Sequence, residues 1–331
     1  MVESKFRDIG LDIVRCSAIL LVILQHSWSG MGFDTADSSI RCWFYSVFCL
    51  GVPLFVLLSG SLQFRRTEEP VEFLSNRFRR ILVPFFIWSA VVYVISAVMG
   101  KYHSVETVKE AISCYFTFIV DGDINKAYWY IYMLVGLYLI TPVLQKAFNP
   151  DTPSSRKLLE YCLWLWVGIQ VFKDICPDFL TLKYWSFPVD RYLGYYIAGL
   201  YIGRYVTDRA VLRKYGGTGF LVSAGIAMLL AAKGQHVVFV EMSEAVCLFM
   251  YLKSLTLPEG RAKELVTDFS RYSYTIYLTH IILVGALCSA VRVDLFATPV
   301  FIVMVTAVLE YFFCSCLEKI KSIPGWILGF K

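Results

Sequence analysis

A chain of 331 residues that is 57% hydrophobic and 16% aromatic, with a mean hydropathy of +0.60, is too apolar for a soluble globular domain and reads as an integral membrane protein. Its net charge of +5, from 31 Lys and Arg against 26 Asp and Glu, sits in clusters between long apolar stretches and forms no basic stripe interleaved with aromatics, so no nucleic-acid partner is expected. Ten cysteines suggest neither a disulfide framework nor a metal centre: Cys16, Cys49, Cys162, Cys247 and Cys288 lie inside apolar runs, no C-x-x-C pair occurs, and Cys314 and Cys316 fall on different faces of a helix.

In chain order, Met1 to Asp8 is short and charged. The apolar run behind it carries Arg15 and His26 and has no small-residue cleavage site, which argues against a cleaved signal peptide. About 20 apolar residues are needed to cross a bilayer core of roughly 30 Å. Ten segments qualify as candidates, at 10–30, 42–63, 81–100, 128–147, 157–173, 192–206, 217–233, 237–256, 273–291 and 298–317, the fifth and sixth being short. Between them, Val105, Val108, Ile112, Phe116 and Ile119 recur at helical spacing and predict a helix over 104–120, lying along the outer surface. The stretch from Cys176 to Arg191, with two prolines, reads as an outer loop without regular structure. No internal repeat, low-complexity tract or linker interrupts the chain, so 1–331 is expected to be one transmembrane domain.

Placing the N-terminus in the cytoplasm and alternating sides puts roughly two-thirds of the Lys and Arg in the inner loops, as the positive-inside rule requires. The predicted fold is therefore an all-α polytopic membrane protein with about ten transmembrane helices, both termini cytoplasmic, multi-pass in the inner (cytoplasmic) cell membrane.

Ionisable groups inside a span are costly and are functional candidates by default. The first helix holds three: Asp12, Arg15 and His26. At about 100° per residue, Arg15 and His26 fall within roughly 20° of each other and Asp12 within about 60°, so one helix face carries all three. The rise of about 1.5 Å per residue separates Arg15 and His26 by roughly 16 Å in depth. Two readings stay open. Asp12 and Arg15 form an i,i+3 pair with Arg15 snorkelling and His26 hydrogen-bonded in the interior, or a neutral imidazole at His26 serves as general base for an acceptor hydroxyl.

Leu11-Asp12-Ile13-Val14-Arg15 followed by His26 resembles the Arg-x10-His signature that opens the acyltransferase-3 family. Further pieces follow in the family's order. Gly51 to Gly60 (GVPLFVLLSG) is similar to its second-helix motif, Arg77 to Phe85 (RFRRILVPF) to the basic start of its third helix, and Trp129-Tyr130 with Tyr138 to Pro142 to its middle region. Ser270 to His280 (SRYSYTIYLTH) is close to its Ser-Tyr-x-Ile-Tyr-Leu-x-His pattern. The resemblance spans residues 11–280.

It implies a membrane O-acyltransferase that takes an acetyl or similar group from cytoplasmic acyl-CoA and places it on a hydroxyl of a surface or exported saccharide, with Arg15 and His26 needed for activity. The expected partners are acyl-CoA as donor substrate, a saccharide or lipid-linked saccharide acceptor and the bilayer. No bound cofactor or metal is expected, and a homo-oligomer is left open. Arg77, Arg79 and Arg80 at the cytoplasmic end of the third helix suit the phosphates of coenzyme A, or simply anchor the helix. Ser59 and Gly60 allow close packing or close approach of a ligand, and Ser59 joins the acyl-CoA-binding set.

His280 and Glu310, at similar depth on neighbouring helices, are expected to form a buried pair. Glu241 and Glu244 lie at the depth of His26 and either orient its imidazole, bind sugar hydroxyls, or pair with Lys233 or another helix. Trp129 and Tyr130 are either outer-interface anchors or a saccharide platform. The competing class is an exporter of lipid-linked or polymeric saccharide that uses the same buried charges. No matching halves are visible, and Pro53, Pro84 and Pro142 show no repeat symmetry.

Overall fold

The computed structural model describes residues 7–33, 39–64, 68–100, 107–148, 152–176, 188–291, 295, 297–320 and 324–330; within them every regular element is helical. In chain order these are α1 (Ile9–Gly30), α2 (Ser39–Phe48), α3 (Gly51–Gln63), α4 (Pro70–Val98), α5 (Val108–Asp121), α6 (Trp129–Phe148), α7 (Pro153–Ile175), α8 (Pro188–Tyr205), α9 (Arg209–Ala231), α10 (Val238–Ser254), α11 (Arg261–Ala290), α12 (Thr298–Glu318) and the short α13 (Gly325–Leu328). All ten predicted spans are helical, as is the predicted segment over 104–120 in its described part. Most of the predicted 176–191 loop lies outside the described residues, and its end belongs to α8.

The starts and stops follow local chemistry. Side chains of Asp8, Thr152 and Asp208 accept the first free N–H groups of α1, α7 and α9, Thr107 and Glu110 close a capping box on α5, and Gly122 ends α5 at a φ of 77°. One predicted span is broken: 42–63 divides into α2 and α3 at Cys49–Leu50. Pro53 offers no N–H and its ring would collide with the carbonyl of residue 49, so it is tolerated only in the first turn of a new helix.

Length and hydropathy qualify seven segments as membrane-crossing among the described residues: α1, the α2–α3 unit from Trp43, α4, α6 with its preceding turn, α9, α11 and α12. The remaining three predicted spans, α7, α8 and α10, do not meet that measure. In α8 the reason is its place in the bundle. Tyr195, Tyr196 and Leu200 are fully or almost fully buried against other helices, so its sequence meets protein rather than lipid and need not be uniformly apolar.

Contacts fix the relative directions of the helices. Arg15 meets Ser270, His26 meets His280 and Gly30 meets Cys288, so α1 and α11 run parallel. Leu57, Ser61 and Phe64 face Gly199, Gly203 and Arg204 in turn, which makes α3 and α8 parallel as well. The pairs Gly216–Tyr251 and Gly219–Cys247 make α9 and α10 antiparallel.

Small residues set the closest approach, between α3 and α8. A Cβ on Gly60 would land on the Tyr196 carbonyl, and one on Gly199 on the Leu57 carbonyl. Packing thus accounts for Gly60, while the neighbouring Ser59 faces elsewhere. Gly60→Val is expected to force the helices apart at a cost of about 1–3 kcal/mol, lowering the thermal midpoint in detergent. Gly168→Ala, whose Cβ would meet nothing within 4 Å, is expected to leave that midpoint unchanged.

Candidate active site

Two levels of chemistry are built on the α1–α11 seam. At the first, Asp12 is the hub. Its carboxylate accepts from Arg7 Nε at 2.5 Å and Nη2 at 3.0 Å, from Arg15 Nη1 at 3.1 Å and from Ser270 Oγ at 2.7 Å. Arg15 Nη1 also donates to Ser270 Oγ at 2.7 Å. Asp12 and Arg15 are both buried, so the carboxylate compensates a guanidinium removed from water. The i,i+3 pair read from the sequence is present, and it aims Arg15 at a cavity instead of sending it to an interface.

That cavity has a volume of about 420 Å³ and is enclosed by α1, α3, α4, α6, α11 and the segment around α13. Its lining brings together Arg15, Ser59, Arg77, Arg80 and Tyr130, five residues singled out in the sequence and far apart along it. Arg77 approaches Glu68 at 3.7 Å and lies over the Phe73 ring. Ser59 interacts with the hydroxyls of both Tyr130 and Tyr138, and Gln63 Nε2 donates to the Tyr138 hydroxyl at 3.0 Å. A volume in the range of small-molecule sites, apolar walls and a few convergent polar groups make this the candidate ligand site.

Arg79 is not part of the lining. Its guanidinium stacks on the Trp326 ring at 4.1 Å, and it is Trp326, with Gly329 and Phe330, that closes the cavity on that side. The closing segment is pinned through the Leu328 carbonyl, which accepts from Trp88 Nε1 at 3.1 Å and Thr275 Oγ1 at 2.6 Å. Nothing in the sequence pointed to this wall, and Tyr138, Tyr274 and Tyr277, though part of the family-like motifs, were not among the expected site residues. The three-residue step from Tyr277 to His280, which places both on one helix face, was the available signal for Tyr277.

At the second level, His26 faces His280, with ring centroids 5.3 Å apart. Tyr277, which lines the cavity, has its ring centroid 6.0 Å from that of His280. The cavity therefore leads from Arg77 and Arg80, past Arg15 and Ser59, to within two rings of His26.

One expected pair is corrected. His280 does not pair with Glu310: its Nδ1 lies 3.0 and 2.8 Å from the carbonyls of Ile276 and Tyr277, and Glu310 accepts instead from Thr279 Oγ1 at 2.9 Å. A histidine within a helix reaches its own preceding turn more readily than a carboxylate on the next helix. Of the alternatives open for Glu241, the structure has pairing with another helix, since it binds Arg191 of α8 at 2.5 Å and also His236, whereas Glu244 is fully buried with no hydrogen-bond partner for either oxygen among the described residues. Trp129 and Tyr130 do not form one platform, because adjacent residues on a helix point apart: Tyr130 lines the cavity, and Trp129, 40% exposed, packs at 5.4 Å on Tyr192.

Set against protein-family models, the chain matches one described as an acyltransferase domain, the acyltransferase-3 model, over residues 8–315. The chain belongs to the acyltransferase-3 family. It is a multi-pass membrane acyltransferase, and both levels of the α1–α11 seam fall within the matched residues. No curated protein and no solved structure gives a significant match. Among the described residues no group of His, Cys, Asp and Glu is arranged to hold a metal ion.

Two tests address this electrostatic frame. Asp12→Ala leaves Arg15 buried without its carboxylate and is expected to destabilise the protein by about 3–5 kcal/mol, read as a lowered thermal midpoint, while Ser270→Ala costs less. At the other end, His236 precedes α10, and its hydrogen bond to Glu241 holds its pKa above the ordinary value. A raised folded pKa gives stability that is present below the unfolded value and lost as pH rises through the folded one. The thermal midpoint of the protein is thus expected to fall from pH 6 to pH 9 by more than that of His236→Gln.

Proposed function

We propose that this acyltransferase-3 protein moves an acetyl or similar acyl group from cytoplasmic acyl-CoA to a hydroxyl of a cell-surface or exported saccharide, in the inner cell membrane. The carrying observation is one cavity whose lining joins Arg15, Arg77 and Arg80 to Tyr277, whose ring neighbours His280, which in turn faces His26; neither histidine is part of that lining. Three guanidiniums in one lining suit the phosphates of coenzyme A, each a charge-assisted contact. The same lining gives the thin pantetheine arm a route past Ser59 to Tyr277, which covers part of the depth difference between Arg15 and His26.

Helix directions support a topology of ten crossings with both termini on one side, the side that the Lys and Arg count makes the cytoplasm. Two parallel helices must be separated by an odd number of crossings. Between α1 and α11 the apolarity criterion alone counts four, whereas adding α7, α8 and α10 makes seven. Between the parallel pair α3 and α8 lie α4, α6 and α7, and only with α7 crossing is that number odd. The arginine end of the cavity then faces the cytoplasm, where acyl-CoA is made.

In the reaction, a neutral His26 nitrogen takes the proton of the acceptor hydroxyl as that oxygen attacks the thioester carbonyl. The tetrahedral intermediate collapses, the carbon–sulfur bond breaks, and the departing thiolate takes the proton from the His26 imidazolium. The products are an ester and free coenzyme A. No carrier on the protein is required, and the chain has no group near His26 arranged as an activated nucleophile among the described residues.

The test is radiolabelled acetyl transfer from acetyl-CoA to the saccharide fraction of membranes carrying matched amounts of each variant. His26→Ala is expected to lose about 10²–10⁴-fold in rate while retaining acetyl-CoA binding. Arg77→Ala and Arg80→Ala are each expected to weaken acetyl-CoA binding by about tenfold or more, the size of one charge-assisted contact. Full activity in a well-expressed His26→Ala removes His26 as the base.

A further inference from the structure

We infer that Trp326 is the platform for the adenine base of the donor: the base stacks on the indole surface that bounds the cavity, while the phosphates next to it meet Arg80 and Arg77. The inference rests on the reading of the cavity as the acyl-CoA site and assigns its nucleotide end to the C-terminal segment of the chain.

The argument begins with the order of groups along the lining. Arg15 is buried, Arg77 is half-buried and Arg80 is exposed, so the guanidiniums run from the depth of the cavity to its rim. Trp326 lines the same cavity and is half-buried, which puts it toward the rim with Arg80. The rings of Tyr130, Tyr138, Tyr277 and Phe330 also line it, but all four are buried and belong to its inner part. In a coenzyme A thioester the acyl group and pantetheine arm form one end and the adenine the other, with the diphosphate between them. A donor whose thin end points inward past Ser59 therefore leaves its base at the rim, where the available ring is an indole.

The way that indole is held suits stacking. Arg77 and Arg80, three residues apart, share one face of α4 and line the cavity, whereas Arg79 projects roughly 100° away from Arg80 and is absent from the lining. The Arg79 guanidinium lies 4.1 Å from the centroid of the Trp326 ring and covers it from outside the cavity. Among the described residues no second aromatic ring packs on the indole. Its backbone is anchored just beyond. The Leu328 carbonyl accepts from Trp88 of α4 and Thr275 of α11, and Gly329, at a φ of 94°, leaves no room for a Cβ beside Tyr274 and Thr275. A ring fixed by a cation and by two helices before the ligand arrives loses little freedom on binding.

The family match ends at residue 315, so Trp326 lies beyond it and no property carried over with the match accounts for this wall. Stacking a base needs a π-face and tolerates any base, which separates it from plain apolar packing.

The experiment uses the detergent-purified full chain and two probes: radiolabelled acetyl-CoA, and etheno-CoA, whose fluorescent adenine is quenched when it stacks on an indole. Etheno-CoA is expected to be quenched on binding wild type and to regain its emission when excess acetyl-CoA displaces it. Trp326→Phe keeps a π-face, and is expected to bind acetyl-CoA within about threefold of wild type but to lose the quenching. Trp326→Leu keeps an apolar wall without that face, and is expected to weaken acetyl-CoA binding by about 5- to 150-fold. A wall that only closes the cavity predicts equal affinities for Phe and Leu. Equal affinities, quenching retained in Trp326→Phe, or displaceable binding to wild type without quenching each overturn the inference while leaving the cavity as the donor site. The quenching arm decides the matter even where Leu loosens the C-terminal segment. Failure of wild type to bind etheno-CoA, or binding that acetyl-CoA does not displace, overturns the underlying reading instead, so the two failures are distinguishable.

Discussion

A guanidinium inside an apolar bundle is tolerable only beside a compensating carboxylate, and the rest of this structure is arranged around the place where Asp12 provides one. Asp12 holds Arg15 and Arg7 from its own end of the chain and Ser270 from α11, so one carboxylate ties together two of the helices that carry the family's motifs. The network is geometric as well as electrostatic. Because Ser270 bonds both Asp12 and Arg15, the α1–α11 register is set at that level, and the parallel run of the two helices then brings residue 280 beside residue 26 ten positions further along α11. Arg15 and His26 are too far apart to touch, yet the same register positions both.

The cavity follows from what surrounds that seam. α3 cannot lie against α8 without Gly60 and Gly199, and once it does, Ser59 on the adjacent face is turned toward α1 and α6. The close contact on one side of α3 thereby leaves room on the other. The segment around α13 closes that space by giving its Leu328 carbonyl to α4 and α11 at once. Each wall is thus held by a helix whose own position is fixed elsewhere, which is the condition for a pre-formed site.

Much of this was legible in the sequence. Apolar runs of the right length gave ten candidate spans, and all ten are helical, 42–63 as two helices, while seven meet the length and hydropathy of a membrane crossing among the described residues. The single-helix arithmetic for Asp12, Arg15 and His26 also holds, since it depends only on helical pitch. What periodicity could not give was which helices are neighbours. Glu310 and His280 lie at similar depth on helices in contact, yet each finds its hydrogen bond within α11: Glu310 at Thr279, His280 in its own preceding turn. Tyr130 follows Trp129 in a stretch that reads as an interfacial belt, and only the packing of α6 turns it into the cavity. Trp326 and Phe330 carried no signal at all, because their role comes from a docking contact and from no pattern in their own segment.

The two-level design bears on how such a site separates its substrates. The Asp12 level holds the buried Arg15 with its carboxylate, and the level of His26 and His280 brings imidazole and aromatic rings together, with Glu310 of α12 bonded to Thr279 beside them. For the proposed acyl-CoA donor, the Asp12 level is where phosphates meet compensating charge, whereas further in Tyr130 and Tyr277 touch edge to face, with centroids 5.4 Å apart, and bound the cavity. In the proposed reaction a neutral imidazole suits that inner level, because low polarity makes an uncompensated charge costly and also excludes the water that would compete with the acceptor hydroxyl. The separation in depth between Arg15 and His26 then lets one helix serve both the charged and the uncharged end of the proposed donor.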